Sequence, residues 1–451
     1  MPSEDSRPAG TSKLRRWPSD ERHQCCGDGG HRQHQRRLRR LLERAGRPAA
    51  EARTSGAFEL PDLLDRFGRQ LGATRLLTYL ADLQQQVLTP FLGASLLREL
   101  EEELPLPPLS VDSSLAGKVF QDLGHQIQGS TLWLPLVAGT ERLGVLAVGL
   151  PAGEPNPAAL AGFQRLAVAA ADLVRGRSPF GDAIVRAQRQ HSLSTAAELQ
   201  YAILPPLSFT SRAVTVAAAL EPCYHVAGDT IDYAVDDGRA RIAIFDGMGH
   251  GLHSAQCAVL TVAAYRAARR AGRSLGETFL DIDEALAAGM QGEIFTTAVL
   301  AELDSRTGSL RWVNAGHPAP LLIRGGRVVR ELDADARPPL GLGDLLGLGS
   351  PTPAVEQLEP GDTVLFYTDG VTEARSPEGD FFGTARLGDL VVRHLAGGLA
   401  APETLRRVVR ELLAHHEGQL TDDATLLMLE WRSDGVAPQV PPQPCMDVHL
   451  R

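Results

Sequence analysis

Lysine is almost missing from this 451-residue chain: Lys13 and Lys118 are the only two, and every other Lys/Arg position is arginine. With no lysine beyond 118, the second half holds no phosphate loop of the Gly-Lys-Ser/Thr type. The abundance of Ala and Gly points to GC-rich coding bias as the source of this scarcity, rather than to phosphate binding. Cysteine is scarce too. Cys25, Cys26, Cys223, Cys257 and Cys445 show no C-x-x-C spacing and no disulfide framework, which suits a reducing cytoplasm. Cys223 and Cys257 read as packed thiols. No apolar run of about 18 residues is found, so no spanning helix is expected, and the polar first residues lack a signal-peptide core. The net charge of −10 lacks the basic excess of a nucleic-acid binder. A soluble cytoplasmic protein with no nucleic-acid and no membrane partner is expected.

What is present divides into segments. The length suits two or three domains, and 43% apolar with 22% charged residues is an ordinary globular profile. Residues 1–55, with 13 basic and 7 acidic side chains, read as a disordered basic tail. From Phe58, "ELPDLLDRFGRQLGA" has helical spacing and "TRLLTYLADLQQQVLTPFL" reads as two strands around a polar turn. "VDSSLAGKVFQDLG" follows as a helix capped by Ser113 or Ser114. A hairpin turning at Ala138-Gly139-Thr140 and the helix "NPAALAGFQRLAVAAADLVRGR" complete the unit. This order resembles a GAF domain over residues 58–178, and the resemblance implies a small-molecule sensor whose ligand is unknown.

Residues 181–206 read as a linker helix ended by Pro205-Pro206. Its apolar positions form no clean heptad seam, and a homodimer contact remains open to it. Residues 207–432 alternate strands such as "ARIAIFD", "TTAVLAELD", "DTVLFYT" and "ATLLMLEW" with three helices, "LHSAQCAVLTVAAYRAARRAG", "LGETFLDIDEALAAG" and "APETLRRVVRELLAHHEG". Tight connections at 304–308 and Gly325-Gly326 imply hairpins. The expected class is α+β: a sandwich of largely antiparallel sheets flanked by helices. The proline-rich segment 433–451 reads as a second disordered tail.

Four acidic positions border apolar runs: Asp229 in "AGDTIDY", Asp246 in "IAIFDGMGHG", Asp369 in "VLFYTDGVTEA" and Asp422 in "LTDDATLL". A carboxylate at the end of a buried strand is costly unless something offsets its desolvation. If these converge they repel one another unless cations neutralise them, and hard divalent ions favour such oxygen ligands. Gly247 and Gly370 let backbone approach closely. Two such ions activate water for attack on a phosphate monoester. No side-chain nucleophile is then required, in keeping with the lack of a Cys/His or Ser/His/Asp constellation.

"AGDTIDY", "FDGMGHG", "TTAVLAELD", "NAGHPAPLL", "YTDGVTEAR" and "TDDATLL" occur in this order over residues 207–432. Together they resemble the metal-dependent protein serine/threonine phosphatases (the PPM family), in the bacterial sporulation stage II E-type branch. The resemblance implies two Mn²⁺ or Mg²⁺ ions. Asp246 would bridge them, the Gly247 carbonyl would bind one, Asp369 and Asp422 would hold the other, and Asp229 would contribute directly or through water. It also implies a phosphorylated anti-sigma-factor antagonist (a STAS-type protein) as substrate. Ala227 stands where the family commonly has Gly, and the arginine that holds substrate phosphate in eukaryotic relatives has no counterpart that the sequence identifies. Asp423 competes with Asp422 as ligand, and Asp232 is a candidate supporting residue.

Blander readings stand beside these. A lone Asp-Gly is mostly a turn; the ordered set outweighs that. His250 and His317 read as conformational loop residues, and Glu373 as equally a solvated carboxylate or a support for the site. A receiver domain also uses strand-end aspartates, but it needs a lysine that this half lacks. The remaining alternatives are a catalytically silent docking or ligand-sensing module and a hydrolase of small phosphoesters.

Overall fold

The first structural unit grows from alternation. In the computed structural model, β1 (Arg75–Ala81) and β2 (Val87–Phe91) pair antiparallel across a polar turn. β3 (Leu109–Ser110), β4 (Gln126–Gln128), β5 (Thr131–Ala138) and β6 (Glu141–Gly149) complete a six-stranded sheet in the order β3-β2-β1-β6-β5-β4. The structure describes residues 56–432 apart from 101–105, 152–154, 222–227, 291–293, 344–346, 348, 417–419 and 421. Both expected tails, together with Cys25, Cys26, Cys223, Ala227 and Cys445, lie outside the described residues.

Helices α1 (Leu60–Gln70) and α2 (Ala94–Leu100) precede α3 (Leu115–Asp122), whose N-cap is Ser114, accepting the Gly117 amide at 2.9 Å. Tyr79, Leu88, Phe120 and Val145 form part of the core between α3 and the sheet. α4 (Pro157–Arg177) packs along β5 and α1, capped by Asn156 through the Ala159 amide at 2.9 Å. By length and composition α4, with its continuation to Phe180, is long and apolar enough to cross a membrane, contrary to the expectation of no such stretch. Its alanine-rich face is buried, Ala167, Ala169, Ala170 and Ala171 included.

The linker is not one helix. It forms α5 (Asp182–Ala187) and α6 (Thr195–Ile203), with a break at 188–194. The Ser194 hydroxyl accepts the Ala197 amide at 3.1 Å, starting a new helix where the sequence suggested a continuous one. Ala196 of α6 packs on Ala255, and Leu199 lies against them.

The C-terminal part is a sandwich. One sheet runs β15-β12-β11-β10-β9, the other β14-β13-β16-β17-β8-β7, and every ladder is antiparallel. The first comprises β9 (Asp229–Asp236), β10 (Arg239–Gly247), β11 (Thr296–Asp304), β12 (Ser309–Ala315) and β15 (Ala354–Gln357). The second comprises β7 (Ser208–Thr210), β8 (Val214–Glu221), β13 (Leu321–Arg324), β14 (Arg327–Glu331), β16 (Thr363–Tyr367) and β17 (Ala424–Trp431). Val216, Ile244, Val299, Phe366 and Leu427 belong to the core between the sheets. α7 (Leu252–Arg270) and α8 (Leu275–Met290) cover the first sheet through Phe245, Tyr265 and Ile282. After the short α9 (Asp369–Thr372), α10 (Thr384–Ala396) and α11 (Ala401–His416) cover the second through Leu365, Leu387 and Leu405. The expected α+β sandwich is therefore present. The turns foreseen at 304–308 and at Gly325-Gly326 are there too, the latter with φ of 59° and 75°. β7, β9, β15, α9 and α10 are elements that periodicity did not reveal.

Candidate metal centre

Strand pairing builds the site. Asp229 opens β9 and Asp246 nears the end of β10, and the antiparallel register sets the two directly opposite each other. Like charges in that position destabilise a ladder. Gln200 of α6 donates from Nε2 to the Asp229 carbonyl at 2.5 Å. The Thr368 hydroxyl, at the end of β16, donates to Asp229 Oδ2 at 2.8 Å and accepts the Thr425 amide at 2.9 Å. The two sheets are thus tied at the same end of the sandwich, where α9 begins with Asp369.

Backbone crowding fixes the rest. A Cβ on Gly370 would stand 1.9 Å from the Asp423 carbonyl oxygen, so glycine alone lets α9 sit on the start of β17. A Cβ on Gly228 would stand 2.7 Å from the Gly247 carbonyl, whose oxygen accepts the Ser254 hydroxyl at 3.2 Å. The contest between Asp422 and Asp423 resolves into two positions. Asp423 is buried, and its Oδ2 accepts the Gly228 and Asp229 amides at 2.7 and 3.2 Å. Asp422 is exposed, accepts the Asp423 amide at 2.9 Å, and lines a cavity of about 370 Å³ with Asp369.

The electrostatics follow from this convergence. Burial, then the charges of Asp369, Asp422 and Asp423, pushes the Asp246 carboxyl up to about 7. Asp423 is pushed up to about 7 by burial, with the Gly228 and Asp229 amides working against it. Asp229 is raised well above the carboxylate range by burial, then by Asp423 and Asp246. Burial, Asp422 and Glu373 raise Asp369. Among the described residues no Arg, Lys or His forms an ion pair with any of these five. The buried Asp423 Oδ1 also has no hydrogen-bond partner.

Such a set suits divalent cations, which would offset the burial and the repulsion that raise Asp229, Asp246, Asp369 and Asp423. Among the described residues no group of three or more His, Cys, Asp or Glu side chains is arranged to hold a metal ion.

Other sequence candidates fall elsewhere. Asp232 is drawn to the far side of β9 by Arg266 and Arg269 of α7, at 2.9 and 3.2 Å. His317 is buried, its Nδ1 2.7 Å from the Thr297 hydroxyl, and burial lowers it to about 3. It is a neutral structural residue, as expected for a turn. His250 is exposed, and Glu373 lines the cavity beside Asp369. Cys257 is buried against the Thr296 hydroxyl at 3.2 Å, its thiol raised by burial. Sequence reasoning missed Gln200, Ser254 and Thr368. Only Thr368, immediately before Asp369-Gly370, carried a signal.

Residues 236–432 match the family model described as Stage II sporulation protein E (SpoIIE). That span holds Asp246, Gly247, Asp369 and Asp422, with Asp229 just ahead of it. Over that span the C-terminal part of the chain is similar to the Stage II sporulation protein E family. Over 137 residues the chain is 31% identical to Protein IcfG of Synechocystis sp., covering 30% of this chain and 20% of IcfG. Over 249 residues it is 23% identical to phosphoserine phosphatase RsbU of Bacillus subtilis, covering 54% of this chain and 71% of RsbU. The solved SiaA-PP2C domain of Pseudomonas aeruginosa is 25% identical, covering 52% of this chain and 94% of that domain, with a TM-score of 0.44. The chain thus spans a fifth of the length of IcfG and about seven-tenths of RsbU.

Proposed function

We propose that this protein is a metal-dependent phosphatase that removes phosphate from serine or threonine of a regulatory protein. The single observation that carries this reading is the placement of Asp229, Asp246, Asp369 and Asp422 at one end of the sandwich without a cationic partner among the described residues, with Asp229, Asp246 and Asp369 raised by burial and then by neighbouring carboxylates. Asp246 would lie between two Mn²⁺ or Mg²⁺ ions, with the Gly247 carbonyl on one, Asp369 and Asp422 on the other, and Asp229 in reach directly or through water. Bound there, the ions would activate water and neutralise charge on a phosphate monoester.

The chain's own residues supply the frame. Thr368 and Gln200 hold Asp229 from both sides, Asp423 fixes the 228–229 turn, and Gly370 brings Asp369 to the cavity mouth. The cavity beside Asp369 and Asp422 opens to solvent, as a phosphorylated side chain on a protein needs. We propose the phosphorylated anti-sigma-factor antagonist, a STAS-type protein, as substrate in the cytoplasm. The sensor role of residues 58–178 belongs to the same reading, supported by a six-stranded antiparallel sheet with helices packed on it.

The test is turnover of an aryl phosphate and of the phosphorylated antagonist in Mn²⁺ or Mg²⁺, against excess EDTA. Activity that appears with metal and vanishes with chelator is expected. Full activity in EDTA would overturn the two-metal reading.

A further inference from the structure

The cavity that opens beside Asp369 and Asp422 has a cation in its wall. Among the described residues lining it, Arg375 is the only arginine, and no lysine follows Lys118. A phosphate monoester carries its charge on three non-bridging oxygens, and a guanidinium fork can bond two of them at once. Given the phosphatase reading on which this inference rests, we propose that Arg375 is the residue that binds the substrate phosphate.

Three observations carry the assignment. First, Arg375 is exposed and pairs with no carboxylate among the described residues, although Glu373 and Asp369 line the same cavity. Its contacts are with neutral groups: Nη1 reaches the Gly379 carbonyl at 3.4 Å, and the guanidinium lies 4.0 Å over the Phe381 ring. The fork is therefore held yet not neutralised. Second, the stack accounts for Phe381, a large apolar side chain left 52% exposed beside the site. Third, the backbone of Arg375 is clamped. It forms an isolated antiparallel bridge with Phe381, and its carbonyl lies 2.7 Å from His416 Nδ1 at the end of α11. The flanking Phe382 amide bonds the Ala374 carbonyl at 2.8 Å. An arginine fixed in this way loses less freedom on binding than one on a free loop.

The position explains why the sequence did not disclose it. "YTDGVTEAR" puts the arginine six residues past Asp369, and the turn through α9 is what brings it back to the same cavity.

The test compares wild type with Arg375→Ala, Arg375→Gln and Arg375→Lys in saturating Mn²⁺. KM and kcat are read on an aryl phosphate and a phosphoprotein, with inhibition by inorganic phosphate, Mn²⁺ requirement and melting temperature. Loss of a charge-assisted pair should raise KM and weaken phosphate inhibition by about tenfold or more in the Ala and Gln variants. The Mn²⁺ requirement and melting temperature should stay at wild-type values. Lysine should recover part of the loss, since it keeps the charge without the fork. Active variants with unchanged KM and phosphate inhibition would overturn the assignment and leave the phosphatase reading standing. A shift in Mn²⁺ requirement or melting temperature without a shift in phosphate inhibition would also overturn it, by showing a structural role. No turnover by the wild type would overturn the phosphatase reading, and this inference with it.

Discussion

Arg142 Nη1 donates to Glu403 Oε2 at 2.8 Å, joining two residues 261 positions apart in the chain. Their side chains are only 5% and 3% exposed. Glu403 also accepts from Arg406 and Arg407, each at 2.8–2.9 Å, and Arg406 reaches Asp112 at 2.8 Å. Arg142 in turn lies 4.8 Å over the Phe120 ring. The network fastens the β5–β6 hairpin and the start of α3 to helix α11 of the sandwich. Residues 58–178 therefore meet the sandwich directly, in addition to the linker expected over 181–206.

Removing the acid from this network should be costly. Glu403→Gln leaves Arg142 buried without its counter-charge and Arg406 with Asp112 alone, which costs on the order of 3 kcal/mol. Burial alone would raise the Glu403 carboxyl, but Arg406, Arg142 and Arg407 hold it down at about 2. A folded value below the unfolded one stabilises the protein above the ordinary value of 4.5. That contribution fades as pH falls from there through about 2. The melting-temperature gap between wild type and Glu403→Gln should thus be wide at pH 7 and narrow towards pH 3. An equal gap at both would refute this account.

Asp246→Asn and Asp369→Asn test the site from the other side. Each removes an anionic oxygen from the set and should lower kcat by about 100-fold or more, on the order of 3 kcal/mol. In metal-free protein the same changes relieve repulsion, so melting temperature should hold or rise. Near-normal turnover of Asp246→Asn in Mn²⁺ would remove Asp246 from the bridging role.

Gly370 separates packing from chemistry. A methyl group there would stand 1.9 Å from the Asp423 carbonyl, so Gly370→Ala must push α9 off β17 and carry Asp369 with it. A fall of about 2 kcal/mol or more in stability is expected, the range of an overpacked core, with lost turnover. Gly176→Ala, in α4 with nothing within 4 Å of the added Cβ, serves as control and should be neutral or stabilising by up to about 1 kcal/mol. Equal melting temperatures for the two variants would show that Gly370 is not needed for close approach.

Much of this fold was legible because its strands are long and apolar. β10, β11, β16 and β17 announce themselves, and the hairpin turns between strands carry Gly at positive φ. β9 did not, because "DTIDYAVD" puts Asp229, Asp232 and Asp236 into a strand, against propensity. Burial resolves the conflict: Asp232 meets Arg266 and Arg269, and Asp229 meets Thr368, all partners far off in sequence. The linker misled for the opposite reason. Its helical propensity runs through 188–194, and only the Ser194 cap shows that a second helix starts there. For the site, spacing pointed to four aspartates, whereas the residues that hold them, Gln200 and Thr368, are fixed by tertiary contact alone.

Gln200 makes the linker's route to the site testable. Its Nε2 bonds the Asp229 carbonyl at 2.5 Å in a buried setting, and α6 rests on α7 through Ala196 and Ala255. A change in the lie of α6 therefore moves the backbone of Asp229, and with it a carboxylate of the candidate centre. Gln200→Ala leaves that carbonyl buried and unpaired, a loss of about 1–3 kcal/mol. The expected result is an Mn²⁺ requirement raised about tenfold, with KM for an aryl phosphate little changed. Ala197→Pro, in the first turn of α6, removes the amide that the Ser194 hydroxyl caps, at a cost of about 1 kcal/mol. It should shift the Mn²⁺ requirement less than Gln200→Ala does. Deleting residues 1–178 keeps Gln200 and Asp229 together, so the metal requirement should persist while kcat on a phosphoprotein changes. The measurement is an Mn²⁺ titration of turnover for full-length, truncated, Gln200→Ala and Ala197→Pro proteins. Superimposable titrations for all four would show that α6 does not govern the position of Asp229.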